Sequence, residues 1–221
     1  MPPIEDTKFV ELQSTTLAQD PLFPSLVFRQ EILGGNEFNH SLLRFILNER
    51  ATDSTGVQNS NVAALGGWHS RRNLQNEAVL QPLVTTISNA AETIGDRLAY
   101  HPRAKVRLDQ MWAIVNPPGA YNSEHLHPHA LWSGVYYVQA PADSGDLKFS
   151  DPRPGNVMFC AQHHPAKAKP SEARLSITYQ PMARHLILFP GFLPHSVNVN
   201  QSAKSGHEAL RIAISFNLTQ H

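Results

Sequence analysis

From Lys105 onward apolar residues recur at every second position, and this change of period constrains the fold more than any other feature of the chain. Val106, Leu108, Trp112 and Ile114 alternate with Arg107, Asp109 and Met111, as a strand with one buried face requires. Pro117-Pro118-Gly119 stops the pattern. Six further strand candidates follow, at residues 131–138, 146–149, 156–159, 174–179, 184–189 and 210–218, separated by turn residues. Before Lys105 the period is helical. Phe38, Leu42, Phe45 and Ile46 predict a helix over 36–50. Val79, Leu83, Ile87, Ala90, Ile94 and Leu98 predict a longer one over 76–100, with Asn76 as N-cap and Pro82 near its first turn. A short apolar run at 23–28 reads as an early strand, and the polar stretch 51–67 as a loop. Short strands behind a helical layer make a mainly-β fold, a sandwich or jelly roll with the N-terminal helices packed on its outer face. No linker divides the 221 residues, so one domain is expected, with 1–104 as helical buttress and 105–221 as jelly-roll core.

Composition narrows the classes of function. Lys plus Arg and Asp plus Glu both total 18, so the net charge is zero. No nucleic-acid partner is expected, because duplex binding calls for a basic excess or face, and no anionic membrane surface either. The first twenty residues lack the basic-then-apolar order of a signal peptide, and no apolar run approaches the ~20 residues of a membrane span. The single cysteine, Cys160, makes no internal disulfide. These features predict a cytoplasmic protein, with a homodimer through an exposed strand edge left open. Histidine is the outlier: there are 12, as many as there are glycines, which directs attention to metal and acid–base chemistry.

Residues 116–138 (NPPGAYNSEHLHPHALWSGVYYV) concentrate that chemistry. His125 and His127 are two apart, so on an extended strand both imidazoles face one side and reach one metal ion. Two solvated loop histidines would give the same pattern, and His129 reads as one. A second element lies downstream, where the Pro190-Gly191 turn precedes His195. Sixteen residues later, strand 210–218 (LRIAISFNL) turns Leu210, Ile212, Ile214, Phe216 and Leu218 one way and Arg211, Ala213, Ser215 and Asn217 the other. The polar face belongs to solvent or to a wet cavity.

Taken in order, these segments resemble the iron(II)- and 2-oxoglutarate-dependent oxygenases, specifically a bacterial and phage group with His-x-His in place of His-x-Asp. The resemblance runs from Leu22-Phe23-Pro24 and Gly66-Gly67-Trp68-His69-Ser70 through Trp112 to Asn116, Gly119 and His125-x-His127-Pro128. It continues with Ser133-Gly-Val-Tyr-Tyr-Val138, Ser144-Gly145-Asp146-Leu147, Phe149-Ser-Asp-Pro152, Phe189-Pro190, His195 and Arg211 to Asn217. It implies a double-stranded β-helix holding Fe(II), with His125 as first ligand, His127 at the carboxylate position and His195 as distal ligand. Arg211 matches the basic residue that pairs with the far carboxylate of 2-oxoglutarate, a task suited to a planar guanidinium fork. Asn116, Ser133 and Tyr136 are further candidates for the cosubstrate wall, by location. The implied activity is oxidative decarboxylation of 2-oxoglutarate coupled to hydroxylation of a small-molecule or peptide substrate.

The departure from the family pattern bears on the metal. Three neutral imidazoles leave the site more cationic than two plus a carboxylate, and they also suit zinc or nickel. Glu124 and Asp146 are the nearby carboxylates, although Glu124 has the opposite parity to His125. Gly119, the histidine pair, Pro190-Gly191 and His195 also echo the cupin signature, which implies a three-histidine dioxygenase or zinc enzyme, or a non-catalytic metal- or ligand-binding jelly roll; that reading leaves Arg211 idle and lacks the Glu expected at Leu131 or Trp132. Cys160 reads as core, Trp68, Trp112 and Trp132 as packing, His163 and His164 as solvent-facing, and 162–172 as a surface loop whose role as a lid stays open.

Overall fold

A computed structural model describes residues 23–153, 167 and 173–220. In chain order the elements are β1 (Phe28–Glu31), α1 (Asn36–Thr52), β2 (Trp68–His69), α2 (Gln81–Arg97), β3 (Val106–Asn116), β4 (Asn122–His125) and β5 (Trp132–Gln139). They continue with β6 (Leu147–Ser150), β7 (Ser176–Tyr179), β8 (His185–Pro190), β9 (His195–Val197) and β10 (Arg211–Gln220). A six-stranded sheet ordered β1-β8-β5-β10-β3-β2 faces a four-stranded sheet ordered β4-β9-β6-β7, and every pairing is antiparallel. Neighbours distant in sequence, such as β3 beside β10, are what the crossing connections of a jelly roll produce. The expected mainly-β architecture is the one observed, with the helices behind the larger sheet.

Strand alternation feeds two separate cores. From β10, Ile212, Ile214, Phe216 and Leu218 join Met111, Ala113 and Val115 of β3 and Tyr136 of β5 against Leu42 and Ile46 of α1 and Leu83, Ile87 and Ile94 of α2. Burying each of these aliphatic side chains contributes about 1.5–3 kcal/mol. On the opposite face Val135, Tyr137, Ile187, Phe189 and Ala213 meet Leu147, Phe149 and Val197 of the smaller sheet. Asn39 of α1 ties the helical layer to the sheet: its Nδ2 donates to the Val138 carbonyl at 2.8 Å, and its Oδ1 accepts from the Tyr136 hydroxyl at 2.6 Å. Val138 is the residue skipped where β10 shifts register on β5, so the side chain satisfies a carbonyl at a ladder irregularity.

A second irregularity changes the phase of β3. Asn217 pairs with Gln110 and Leu218 with Leu108, which leaves Asp109 as the extra residue of a bulge. Val106 and Leu108 therefore pack toward the helices, whereas Trp112 and Ile114, of the same parity, face the interior between the sheets. Simple alternation puts all four on one side; the bulge separates them.

Three other boundaries move for local reasons. The first strand occupies 28–31 rather than 23–28, because Phe28↔Leu188 is where the ladder with β8 begins, and Phe23 is 90% exposed. Helix α2 starts at Gln81, after 3-10 turns at Leu74–Asn76 and Ala78–Leu80, so Leu80 and not Asn76 occupies the N-cap. A start at 76 would bury Pro82 in the helix interior, where its ring and missing N–H break the ladder; starting at 81 keeps it in the first turn. The short strands β2, β4 and β9 have no alternation long enough to read. The expected strand at 156–159, Cys160, His163 and His164, and all but Lys167 of the 162–172 loop lie outside the described residues. Among the described residues no helix is long and apolar enough to cross a membrane.

Candidate active site

The smaller sheet and the turn beside it bring His125 and His127 together with the distant His195. β4 ends at His125, β9 begins at His195, and the two are direct cross-strand partners with ring centroids 4.3 Å apart. His127 lies two residues past β4, outside the strand, so it converges through a turn and not through strand parity. Its N–H donates to the Gly191 carbonyl at 3.0 Å, and the Gly191 N–H donates to the Leu131 carbonyl at 3.2 Å. A Cβ on Gly191 would lie 2.2 Å from the Ala130 carbonyl oxygen, so only glycine allows the two turns to close on each other.

The result is a cluster in which one ligand-type nitrogen from each of His125, His127 and His195 lies within 4.8 Å of the others. His127 Nε2 and His195 Nε2 are 3.2 Å apart. The Nδ1 of His125 donates to the Ser123 carbonyl at 2.8 Å and that of His195 to the Leu193 carbonyl at 2.9 Å. A carbonyl only accepts, so both rings carry their proton on Nδ1 and keep an Nε2 lone pair for the cluster. Burial holds these imidazoles neutral. It is the largest cause in each case, lowering His125 and pushing His127 down to about 4 and His195 to about 3, with the neighbouring His125 adding to the last two. The surroundings are aromatic: Trp112 stacks on His127 at 5.7 Å and Phe189 packs edge-on against His195 at 4.6 Å.

Arg211 supplies the other half of the site. It is 1% exposed, yet its Nε and Nη1 have no hydrogen-bond partner; only Nη2 reaches the Tyr137 hydroxyl, at 3.5 Å, with the guanidinium 5.2 Å over the Tyr137 ring. A buried, unpaired guanidinium is costly unless an anion meets it. It lines one cavity of about 490 Å³ together with His125, His127 and His195. Imidazole nitrogens suit Fe, Zn or Ni, and two free guanidinium donors suit a carboxylate, so the residues present fit a divalent metal and an organic acid in one cavity.

Residues 110–217 match a family model described as "Putative 2OG-Fe(II) oxygenase". That segment belongs to the 2OG-Fe(II) oxygenase family. No curated protein sequence matches the chain. Among solved structures, the oxygenase fold is similar to a Pseudomonas putida prolyl-4-hydroxylase, at 12% identity and TM-score 0.62, over 89% of this chain and 94% of that one. It is also similar to a prolyl hydroxylase from Trichoplax adhaerens, at 14% identity and TM-score 0.55, over 87% and 83%. A third is the epimerase SnoN in complex with Fe3+, alpha ketoglutarate and nogalamycin RO, at 12% identity and TM-score 0.59, over 88% and 79%. The family match indicates a 2OG-Fe(II) oxygenase over that segment, and the solved structures bear on the fold.

The remaining candidates for the oxygenase site divide. Tyr136 is a correction: its side chain lies on the helix-facing side of β5, bonded to Asn39, and Tyr137 is the tyrosine beside Arg211. Ser133 does not line the cavity, but its hydroxyl donates to Asn217 Oδ1 at 2.7 Å, and Asn217 lines the cavity together with His127. Asn116 is fully buried behind the wall, donating to Asn122 Oδ1 at 2.8 Å. Glu124 accepts from Ser150 Oγ, and neither it nor Asp146 joins the histidine cluster. Trp132 packs away from His127, with its Nε1 donating to the Tyr100 hydroxyl at 3.1 Å. Sequence reading passed over His69, which is 1% exposed and whose ring nitrogens meet the side chains of Asn59 and Asn122 at 3.2 and 3.1 Å. It also passed over Tyr137 and left Trp112 as packing. Asn217 was visible in the polar parity of β10; nothing local distinguishes Tyr137 from Tyr136.

Proposed function

We propose that the protein hydroxylates an organic substrate with Fe(II) held by His125, His127 and His195 and with 2-oxoglutarate anchored by Arg211. One observation carries the reading: a buried guanidinium with two unpartnered donors shares a cavity with three converging, neutral imidazoles. Iron and 2-oxoglutarate, when bound, would supply activation of O2, the oxidant: the cosubstrate gives two of the four electrons as it loses CO2, and the substrate C–H bond gives the other two. The chain does the rest. His125 and His195 present Nε2 lone pairs because Ser123 and Leu193 fix their tautomers. Asn217, itself held by Ser133, stands on the cavity wall with His127. Arg211 grips the far carboxylate of the cosubstrate, and Tyr137 supports the guanidinium from behind. Trp112, Phe149 and Phe189 keep bulk water from the metal side of the cavity.

A three-histidine enzyme of cupin type has one observation in its favour: among the described residues no carboxylate joins the cluster. It gives Arg211 nothing to do. The two readings separate in an anaerobic titration of the metal-free protein with Fe(II) and then 2-oxoglutarate. The oxygenase reading expects the weak visible charge-transfer band of a metal-chelated 2-oxo acid. Iron binding without that band refutes the cosubstrate, and failure to bind iron refutes the metal site.

A further inference from the structure

The cavity wall contains a second guanidinium that the cosubstrate does not use, and we infer that Arg72 orients a substrate bearing a free carboxylate. The inference rests on the oxygenase reading, because it concerns the charge left at the substrate end once metal and cosubstrate are in place. Arg72 lines the same cavity as the three histidines and Arg211. Its main chain is clamped to β3, with the Met111 N–H donating to its carbonyl at 3.0 Å and Asn73 bridging to Met111. Its Nη2 donates to Asn59 Oδ1 and its Nη1 to Gln110 Oε1 at 3.5 Å. Both partners are neutral carboxamides of the same wall, so the side chain is aimed without being neutralised and keeps further donors for a ligand.

The adjacent Arg71 shows the contrast. It pairs with Glu49 at 3.1 Å and with Glu77 at 2.8 Å, as a structural arginine does. Among the described residues no carboxylate lies within ion-pair distance of Arg72. Imidazoles aside, the cavity wall carries two guanidiniums, the exposed Arg72 and the buried Arg211, and one carboxylate, the exposed Asp109. Fe(II) and dianionic 2-oxoglutarate cancel each other, and with His127 at the carboxylate position no ligand removes further charge. One positive charge therefore remains where the substrate enters. A monoanion neutralises it, and a neutral peptide segment does not.

Two further observations agree. The buried polar atoms of the wall that lack partners, Arg211 Nε and Nη1 and Trp112 Nε1, are all donors, so the wall calls for acceptor-rich ligands. At about 490 Å³ the cavity lies in the lower half of the range for small-molecule sites (~300–1,000 Å³), which suits a cosubstrate plus a small acid.

The test uses protein loaded anaerobically with Fe(II) and 2-oxoglutarate, titrated calorimetrically with N-acetyl amino acids and with the matching N-acetyl amino acid amides. Each pair differs in charge and hardly in shape. The acids are expected to bind at least about tenfold more tightly than their amides, and the difference is expected to collapse in Arg72→Gln and to return in part in Arg72→Lys. The 2-oxoglutarate charge-transfer band in the same samples reports whether the metal and cosubstrate site is intact. If the band forms but acids and amides bind alike, or neither binds at millimolar concentration, or Arg72→Gln keeps the preference, the inference is overturned and the oxygenase reading stands. If the band never forms, the oxygenase reading fails, and the inference falls with it unless the metal-loaded protein still prefers acids through Arg72.

Discussion

Replacing Arg211 by methionine should weaken 2-oxoglutarate binding while strengthening the metal-free fold, and the two effects have separate sources. Arg211 is fully buried with Nε and Nη1 unpartnered, and its one polar contact, to Tyr137, is 3.5 Å long. If the far carboxylate of the cosubstrate takes both free donors, two charge-assisted hydrogen bonds form, each worth about 1.5–3 kcal/mol. Their loss is about 3–6 kcal/mol, roughly two to four orders of magnitude in affinity. Without cosubstrate the balance reverses, because a desolvated charge with no counter-ion is exchanged for an apolar chain of similar reach. By analogy with buried charges replaced by hydrophobes, the metal-free variant should gain about 1–4 kcal/mol. For a chain of this size that raises the melting temperature by about 2–4 °C per kcal/mol. The assay is an anaerobic titration of the Fe(II) protein with 2-oxoglutarate, followed by the charge-transfer band, beside calorimetric melting of the metal-free protein. A variant that binds the cosubstrate within about threefold of the wild type would show that Arg211 is not its anchor. A variant that melts several degrees lower would show that the guanidinium stabilises the empty fold, against the reasoning from its unpartnered atoms.

Three other perturbations test the rest of the site. Acid should destabilise the metal-free protein early, because His69 and His195 are pushed down to about 3 by burial while the unfolded chain protonates near 6.5. The unfolded state then binds the extra protons, so stability is lost as pH falls below 6.5, by about 2 kcal/mol for each of these two histidines at pH 5; a flat urea midpoint from pH 7 to 5 would contradict this. Gly191→Ala forces a methyl group against the Ala130 carbonyl and pushes the turn of His127 away from that of His195, so metal affinity should fall at least about tenfold while circular dichroism stays native. Unchanged metal affinity would mean that the turns do not set the cluster. Tyr136→Phe leaves Asn39 Oδ1 without its donor and should cost about 1–3 kcal/mol in urea unfolding with 2-oxoglutarate binding unaltered, whereas loss of cosubstrate affinity would return Tyr136 to the site.

What the sequence determined by itself is set by local backbone geometry. The alternation of 210–218 separated Ile212, Ile214 and Phe216 from Arg211, Ser215 and Asn217, and the helical period of 79–98 marked the face of α2 that carries Leu83, Ile87 and Ile94. The three converging histidines and Arg211 were all legible as candidates, two as a close pair and two by their order after it. Only the tertiary structure decided which face sees what, because that depends on pairing and register. The bulge at Asp109 inserts a single residue that leaves no mark in composition, yet it turns Trp112 and Ile114 inward while Leu108 stays with the helices. The same dependence separates Tyr136 from Tyr137, one bonded to α1 and one beside Arg211. His127 reaches the cluster through a turn closed on Gly191, a contact between residues 64 positions apart. Arg72 and Gln110 share a wall because the segment after β2 is stitched to β3, and Asn59 joins them from the segment before β2, where the Ser123 N–H donates to the Ser60 carbonyl. A period of two is imposed by the chain on itself, but what a polar face meets is imposed by the strands and turns that fold against it.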